Sequence, residues 1–288
     1  MENIASYSKT REIIEKYDFY FKKNFGQNFL IDGHVLNKII NGADIQEDEL
    51  VIEIGPGIGG LTEAMAKRAG KVIAIEIDKS LIPILNEILS PYENVEIINA
   101  DALKTDFKSI IENSGYKKAK LIANLPYYAT TPIIMNMLEQ RLPISSMTVM
   151  IQKEVAERMA AKPSTKSYGS LTLAVEYYSE VYLVANVPRN CFMPRPNVDS
   201  AVIRLDILNK PPVNVKNEEL MFKIIKAAFG QRRKTLVNCL YNLSGLNFTK
   251  EEYADILKKI NIQSDIRGEN LSLTQFSELA NALSEAEA

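Results

Sequence analysis

The chain has no tryptophan, a single histidine (His34) and only two cysteines (Cys191 and Cys239) among 288 residues. With one histidine, a Ser-His-Asp triad or a multi-histidine metal site would hang on His34 alone, and its place near an expected helix start suits a structural residue. The cysteines lie far apart without a partner motif, which argues against a disulfide framework and leaves two small buried thiols. A run of roughly eighteen apolar residues, the least that spans a bilayer as a helix, is absent. Met1 to Tyr20 contains Lys9, Arg11 and Lys16 but no apolar stretch of signal-peptide length, so the expected location is cytoplasmic.

Charge of one sign is also missing, since 34 basic and 36 acidic residues give a formal net charge of -2. The balance is not local. Residues 222–240 carry Lys223, Lys226, Arg232, Arg233 and Lys234 with no acid, whereas 251–288 carry eight acids against Lys258, Lys259 and Arg267. A solvated helix face and a phosphate-contacting stripe both fit that basic segment.

What is present is a hydrophobic content of 46%, enough for one generous or two modest domains. Short apolar strands at Leu50–Ile54, Lys71–Ile77, Val95–Asn99, Ala119–Leu125 and Met147–Ile151 alternate with helical stretches such as Leu61–Ala69 and Ser80–Leu89. This alternation predicts a parallel, doubly wound sheet. Glu180–Val187 and Val198–Ile207 alternate apolar and polar residues, as an antiparallel pair finishing that sheet would. Asn209-Lys210-Pro211-Pro212 reads as a linker. Beyond it Glu218–Phe229, Lys234–Leu243, Lys250–Ile260 and Leu273–Leu283 read as a small helical bundle, with Ser272 or Thr274 capping the last helix. The expected domains are therefore 1–207 and 208–288.

Two segments carry chemistry. The first, Glu53-Ile54-Gly55-Pro56-Gly57-Ile58-Gly59, runs from a strand into a glycine turn, where the missing Cβ atoms let the backbone turn sharply and a ligand approach. Glu76 ends the next strand, 21 positions after Gly55, where an acid can accept from both hydroxyls of a ribose. A nicotinamide cofactor and S-adenosylmethionine (SAM) fit these features equally. Asp101, at the end of the third strand, favours SAM if it accepts from an adenine amine while Ala102 offers a backbone donor; capping the following turn is the structural alternative.

The second segment, Asn124-Leu125-Pro126-Tyr127, ends the fourth strand. An adenine amine is a poor nucleophile because its lone pair is shared with the ring, so methylation needs acceptors for its N–H bonds. The Asn124 side-chain oxygen and the Leu125 carbonyl qualify, with Pro126 stiffening the backbone and Tyr127 placed to stack on an extruded base. Phe192, on the proline loop Cys191–Pro196, is placed either to close the other face of the base or to plug the core. A dehydrogenase is disfavoured because no residue near the tip offers a proton relay, and a DNA adenine methyltransferase because such enzymes favour an Asp-Pro-Pro-Tyr tip.

Phe25-Gly26-Gln27-Asn28-Phe29-Leu30, the Glu53–Gly57 loop with Leu61-Thr62, Glu76-Ile77-Asp78, Asn99-Ala100-Asp101-Ala102, Asn124–Tyr127, Phe192–Val202 and Phe229–Leu236 together resemble the motifs of the small-subunit ribosomal RNA adenine dimethyltransferases, the KsgA family, in its order and over essentially the whole chain. The resemblance implies a Rossmann-like SAM-dependent methyltransferase sheet with a smaller C-terminal all-helical domain. It implies a cofactor site formed by Asn28, Leu30, Gly55, Gly57, Glu76, Ile77, Asp101, Ala102 and Asn124, and RNA contacts from Arg232, Arg233 and Lys234. The implied reaction dimethylates N6 of two adjacent adenosines near the 3′ end of 16S rRNA in the small (30S) subunit, by a monomeric enzyme. Tyr128-Ala129-Thr130-Thr131 departs from the family's usual sequence after the tip. A ribosome-assembly factor whose docking is its main role, and an erythromycin-resistance type large-subunit rRNA methyltransferase, are the alternatives.

Overall fold

The computed structural model describes residues 3–22 and 25–287. In chain order the first elements are α1 (Tyr7–Lys16), β1 (Phe29–Leu30), α2 (Gly33–Ala43), β2 (Leu50–Ile54), α3 (Gly60–Ala66), β3 (Lys71–Glu76), α4 (Ile82–Ile88) and β4 (Val95–Asn99). Then come α5 (Phe107–Asn113), β5 (Ala119–Asn124), α6 (Thr130–Glu139), β6 (Ile144–Gln152), α7 (Lys153–Met159), α8 (Ser170–Tyr178), β7 (Ser179–Val187), β8 (Phe192–Met193) and β9 (Ser200–Ile207). The remainder is helical: α9 (Glu218–Gly230), α10 (Leu236–Tyr241), α11 (Lys250–Lys259) and α12 (Leu273–Glu287).

Among the described residues the large sheet has seven strands in the order β4-β3-β2-β5-β6-β9-β7. The pairs from β4 to β6 are parallel, and β9 runs antiparallel to β6 with Ser146 opposite Asp206 and Gln152 opposite Ser200. Every residue of β2 is buried, which is why Leu50–Ile54 reads as a nearly continuous apolar run rather than an alternating one. β4, at the sheet edge, is only partly covered. Strand order reverses between β2 and β5: the chain moves from β2 outward to β3 and β4, then returns to lay β5 on the other side of β2. The crevice beyond the carboxyl ends of those two neighbouring strands is where open α/β sheets bind ligands. The glycine loop follows β2 and the Asn-Leu-Pro-Tyr tip follows β5, so topology alone makes them neighbours.

One core cluster joins Leu36, Ile39 and Ile40 of α2 and Met65 of α3 to Val51, Val72, Ile122, Met150 and Val202 of the sheet. A second joins Ile13 of α1 to Phe19, Phe29, Ile58 and Leu85. Asp32 starts α2 by accepting from the backbone N–H groups of His34 and Val35 at 2.9 and 3.0 Å. The lone histidine is thus an exposed first-turn residue, and both thiols are free and buried. No described helix is long and apolar enough to cross a membrane.

One correction concerns the organisation. The chain divides into one unit of residues 1–156 with 181–207 and another of 157–180 with 208–288, so the single boundary expected at 207 misplaces the α8 region. The reason is local chemistry: the Tyr177 and Tyr178 hydroxyls each lie 2.9 Å from the Glu218 carboxylate at the start of α9, Tyr178 stacks on Phe222, and the Tyr168 hydroxyl donates to the Leu271 carbonyl at 2.7 Å. Apart from the large sheet, β8 pairs with β1, Leu30 opposite Phe192 and Phe29 opposite Met193. Ser272 is the cap of α12, its hydroxyl accepting from the Gln275 N–H at 3.3 Å while its own N–H donates to the Gln275 carboxamide at 3.0 Å.

Phe192 is 3% exposed and belongs to the first core cluster. Replacing it with alanine is expected to lower unfolding free energy by about 3–5 kcal/mol, read as a fall in the urea midpoint at unchanged slope. A midpoint near that of the parent chain would show that the ring is not a core residue.

Candidate active site

The chain turns from β2 into α3 through Gly55, Gly57 and Gly59, whose φ angles are +72°, +59° and +88°. Those angles are strained for residues with a Cβ. At Gly57 the restriction is also steric, because a Cβ there would lie 2.9 Å from the Phe29 ring. At Gly55 it would lie 4.0 Å from the Asn124 carbonyl, which places the tip's backbone directly against the loop.

Two acids lie beneath this loop. Glu53, 1% exposed, accepts a 2.5 Å hydrogen bond from the buried Thr62 hydroxyl. Burial pushes its carboxyl up to about 8, against the Thr62 bond and with the help of the Glu76 charge. Glu76, 4% exposed, accepts from the Asp78 N–H at 2.8 Å. Burial raises it to about 7, opposed by backbone donors of Asp78, Gly57 and Ile77. Asp78 is buried too, but its two oxygens accept from Lys22, Gln27 and Ser80 at 2.7–3.0 Å. Burial alone would raise this carboxyl, and these donors outweigh it to hold it below the usual range.

At the tip, the Asn124 amide donates to the Asn28 carbonyl at 2.9 Å, and the Leu125 N–H donates to the Met150 carbonyl at 3.1 Å. The Pro126 carbonyl accepts from the Ala129 N–H and the Thr130 hydroxyl at 3.0 and 3.1 Å, so the chain after the tip closes into a turn that starts α6. The Tyr127 hydroxyl pairs with the Ser200 hydroxyl at 2.7 Å, which fixes the ring's outer end. The neighbouring Tyr128 is 58% exposed.

A cleft of about 840 Å³, open to solvent, is lined by Asn28, Leu30, Gly55, Gly57, Glu76, Ile77, Asn124, Leu125, Pro126 and Tyr127. A second cavity of about 950 Å³ shares Gly26, Gln27, Asn28 and Tyr127 with the first and adds Lys22, Gln152 and the Pro194–Val198 loop. Most of the predicted cofactor and catalytic residues therefore meet at one place. The exceptions are Asp101, Ala102 and Phe192, which line neither cavity. The Asp101 carboxylate caps its own turn, accepting from the Leu103 N–H at 3.0 Å, although its charge, like that of Glu76, helps raise the Tyr128 phenol beyond the effect of burial. Phe192 packs in the core, opposite Leu30.

The basic segment is corrected in one respect. Gln231–Lys234 forms a turn between α9 and α10 and not a helix. Arg232 is committed there, donating to the carbonyls of Lys166 and Tyr168 at 3.1 and 3.0 Å and pairing with Glu269 at 3.2 Å. Arg233 and Lys234 are exposed. Sequence reasoning also missed Lys22 and Gln27, which hold Asp78. Their signal was present, since Gln27 lies in the Phe25–Leu30 motif and Asp78 closes Glu76-Ile77-Asp78, but nothing in the spacing pairs them.

Both raised carboxyls bind protons in the folded chain at pH values where the unfolded chain has lost them. Their contribution to stability is thus present at low pH and lost as pH rises through about 7 and then about 8. The ligand-free protein is expected to show a thermal midpoint that falls from about pH 5 to pH 8 and levels off above, and Glu53→Gln to flatten part of the fall below pH 7 and most of it between pH 7 and 8. An equally steep fall in the variant would contradict the assignment.

The model of the family described as "Ribosomal RNA adenine dimethylase" matches residues 18–284. The chain is 53% identical over 287 residues to the ribosomal RNA small subunit methyltransferase A of Lachnoclostridium phytofermentans, covering 99% of both chains. It is 50% identical over 286 residues to the protein of the same name from Clostridioides difficile, covering 98% of both. Among solved structures, a dimethyladenosine transferase from Plasmodium falciparum matches with a TM-score of 0.73 at 29% identity, over 87% of this chain and 95% of that one. The 23S rRNA methyltransferase ErmE matches with a TM-score of 0.68 at 26% identity, over 89% of this chain and all of that one. The chain belongs to the ribosomal RNA adenine dimethylase family.

Proposed function

We propose that the chain binds SAM in the cleft beside the glycine loop and dimethylates N6 of two adjacent adenosines near the 3′ end of 16S rRNA, within the small (30S) ribosomal subunit in the cytoplasm, acting as a monomer. The cleft fits an adenosyl sulfonium on three counts. The glycine loop keeps its φ angles positive and packs Gly57 directly on Phe29 at the cleft wall, Glu76 presents a buried acceptor to a ribose edge, and Leu30 and Ile77 offer apolar flanks to a purine. Relatives named as small-subunit enzymes at 50–53% identity, against 26% for ErmE, favour the small subunit as target.

The observation that carries the reading is the 2.9 Å bond from the Asn124 amide to the Asn28 carbonyl. It fixes which end of the carboxamide is spent on the protein and turns the oxygen toward an incoming amine. When bound, SAM supplies an electrophilic methyl group. The chain's part is to hold the target nitrogen in line with it, with the Asn124 oxygen and the Leu125 carbonyl accepting the amine's N–H bonds. No strong base is needed, because the alkylated ammonium is itself strongly acidic. Tyr127 borders both cavities, so a base entering the second one meets the ring face while the hydroxyl stays anchored on Ser200. Stacking there is worth about 1–3 kcal/mol. A second round of transfer requires the monomethylated amine to rotate and present its remaining N–H at the same acceptors.

Asn124→Ala is expected to cut methyl transfer to 16S rRNA by at least about a hundredfold while leaving SAM affinity within an order of magnitude, since the lost contact matters chiefly in the transition state. Full turnover by this variant would remove the assigned role. For RNA docking, Arg233 and Lys234 are the phosphate contacts and Arg232 a structural pin. Replacing Arg233 and Lys234 with alanine should flatten the slope of log affinity against log salt by roughly 1.5. Replacing Arg232 should instead lower the thermal midpoint. A salt slope that responds to Arg232 alone would reverse the assignment.

A further inference from the structure

Asp78 lines neither cavity, yet it is 2% exposed and accepts four hydrogen bonds. Two come from Ser80, its N–H at 3.0 Å and its hydroxyl at 2.7 Å, and secure the carboxylate to its own turn. The other two reach across the chain: Lys22 Nζ at 2.7 Å on one oxygen and Gln27 Nε2 at 2.8 Å on the other. Gln27 is held at its other end as well, its side-chain oxygen accepting from the Lys22 N–H at 2.7 Å. A buried carboxylate is stable only when donors such as these replace its water. The next residue, Asn28, provides the carbonyl that receives the Asn124 amide, and its own side chain donates to the Gly26 carbonyl at 3.0 Å.

These bonds form one continuous path. It starts at the Glu76–Asp78 strand end, where the ribose carboxylate sits, passes through the Gln27 side chain to the Asn28 carbonyl, and ends on the Asn124 carboxamide. Two of its links are directed hydrogen bonds, Gln27 Nε2 to the Asp78 carboxylate and the Asn124 amide to the Asn28 carbonyl, and the link between them is the backbone from Gln27, whose side chain is held at both ends, to the next residue, Asn28.

We propose that Asp78 is a positioning residue for methyl transfer, which through Gln27 fixes the Asn28 carbonyl and so the orientation of the Asn124 carboxamide at the target amine. The inference rests on Asn124 being the group that receives that amine. Lys22, 46% exposed at its side chain, contributes charge to the same carboxylate but is the weaker link, because water can replace it.

Asp78→Asn tests this. It keeps size and shape and removes the charge, and once its oxygen is turned to accept from Ser80 and Lys22 its NH2 is set against the Gln27 amide. Single-turnover transfer at saturating SAM and RNA is expected to slow by at least about tenfold, the scale set by small misplacements of reacting groups. SAM affinity measured by calorimetry should change by less than about threefold, because Glu76 keeps the Asp78 backbone N–H that Asp78→Asn retains and the glycine loop is unaltered. Adding Gln27→Glu reverses donor and acceptor across the pair and should restore most of the rate. A readout independent of turnover is the ¹⁵N side-chain amide resonance of Asn124, identified by its loss in Asn124→Ala. It should shift in Asp78→Asn and return in the double variant. An unmoved Asn124 resonance with an unchanged rate would overturn the proposal, as would a loss of rate that follows the thermal midpoint or SAM affinity and is not rescued by Gln27→Glu. If the parent chain failed to methylate 16S rRNA while the Asn124 resonance still followed Asp78, the coupling would stand and the assigned reaction would fall.

Discussion

The hydrogen bond from the Asn124 amide to the Asn28 carbonyl spans 96 positions of sequence and joins the N-terminal segment to the reactive tip, where Gly26 also packs against Tyr128 and Pro126. Asn124 ends β5, one of the two strands at the sheet's switch point. Asn28 belongs to a segment that lies across the same crevice before the sheet begins. The sheet fixes the tip's height and direction, the Asn28 carbonyl fixes the rotation of its side chain, and a Cβ at Gly57 would push Phe29, the next residue, out of place. The glycine loop, the N-terminal segment and the reactive tip therefore constrain one another, and each can be accurate only if the other two are.

Electrostatics under the loop follow from the same geometry. Bringing strand ends together beneath a ligand site removes water from the acids that terminate those strands. Glu53 and Glu76 respond by holding their protons to about 8 and 7. Asp78, equally buried, stays ionised because Lys22, Ser80 and Gln27 surround it. Three carboxyls at the ends of two neighbouring strands are thus sorted by their surroundings: Glu53, packed on Thr62, holds its proton up to about pH 8, Glu76 up to about pH 7, and Asp78 stays charged and ties down a neighbouring segment. A ribose that donates to Glu76 stabilises its ionised form, so ligand binding and proton release are linked there.

Much of this was legible in the sequence, and the reasons are physical. Parallel strands buried on both faces announce themselves as short apolar runs, and their carboxyl ends are the only places a doubly wound sheet puts ligands, so Gly55, Glu76 and Asn124 were found by position as much as by type. What sequence alone did not settle was which of two satisfied states a polar or aromatic side chain adopts. The Asp101 carboxylate caps its turn by accepting from the Leu103 N–H on one oxygen, a bond compatible with the purine contact also read from the sequence. Phe192 could stack or plug, and β8 pairing with β1 carries it into the core. Arg232 looked like its neighbours, yet carbonyls from the 157–180 region claim it. That region itself was misassigned because no proline or glycine break separates α8 from β7. The Gln27–Asp78 pair was invisible because contact across 51 residues leaves no periodicity to read.

The central claim is that this site methylates adenine N6 in small-subunit rRNA, and the most direct measurement is methyl transfer from SAM to 30S subunits lacking the modification, with large subunits and duplex DNA in parallel, followed by nucleoside mass analysis. The account predicts two dimethyladenosines per small subunit and none on the other acceptors. Dimethyladenosine appearing on large-subunit rRNA or DNA, or no transfer to any acceptor, would contradict it.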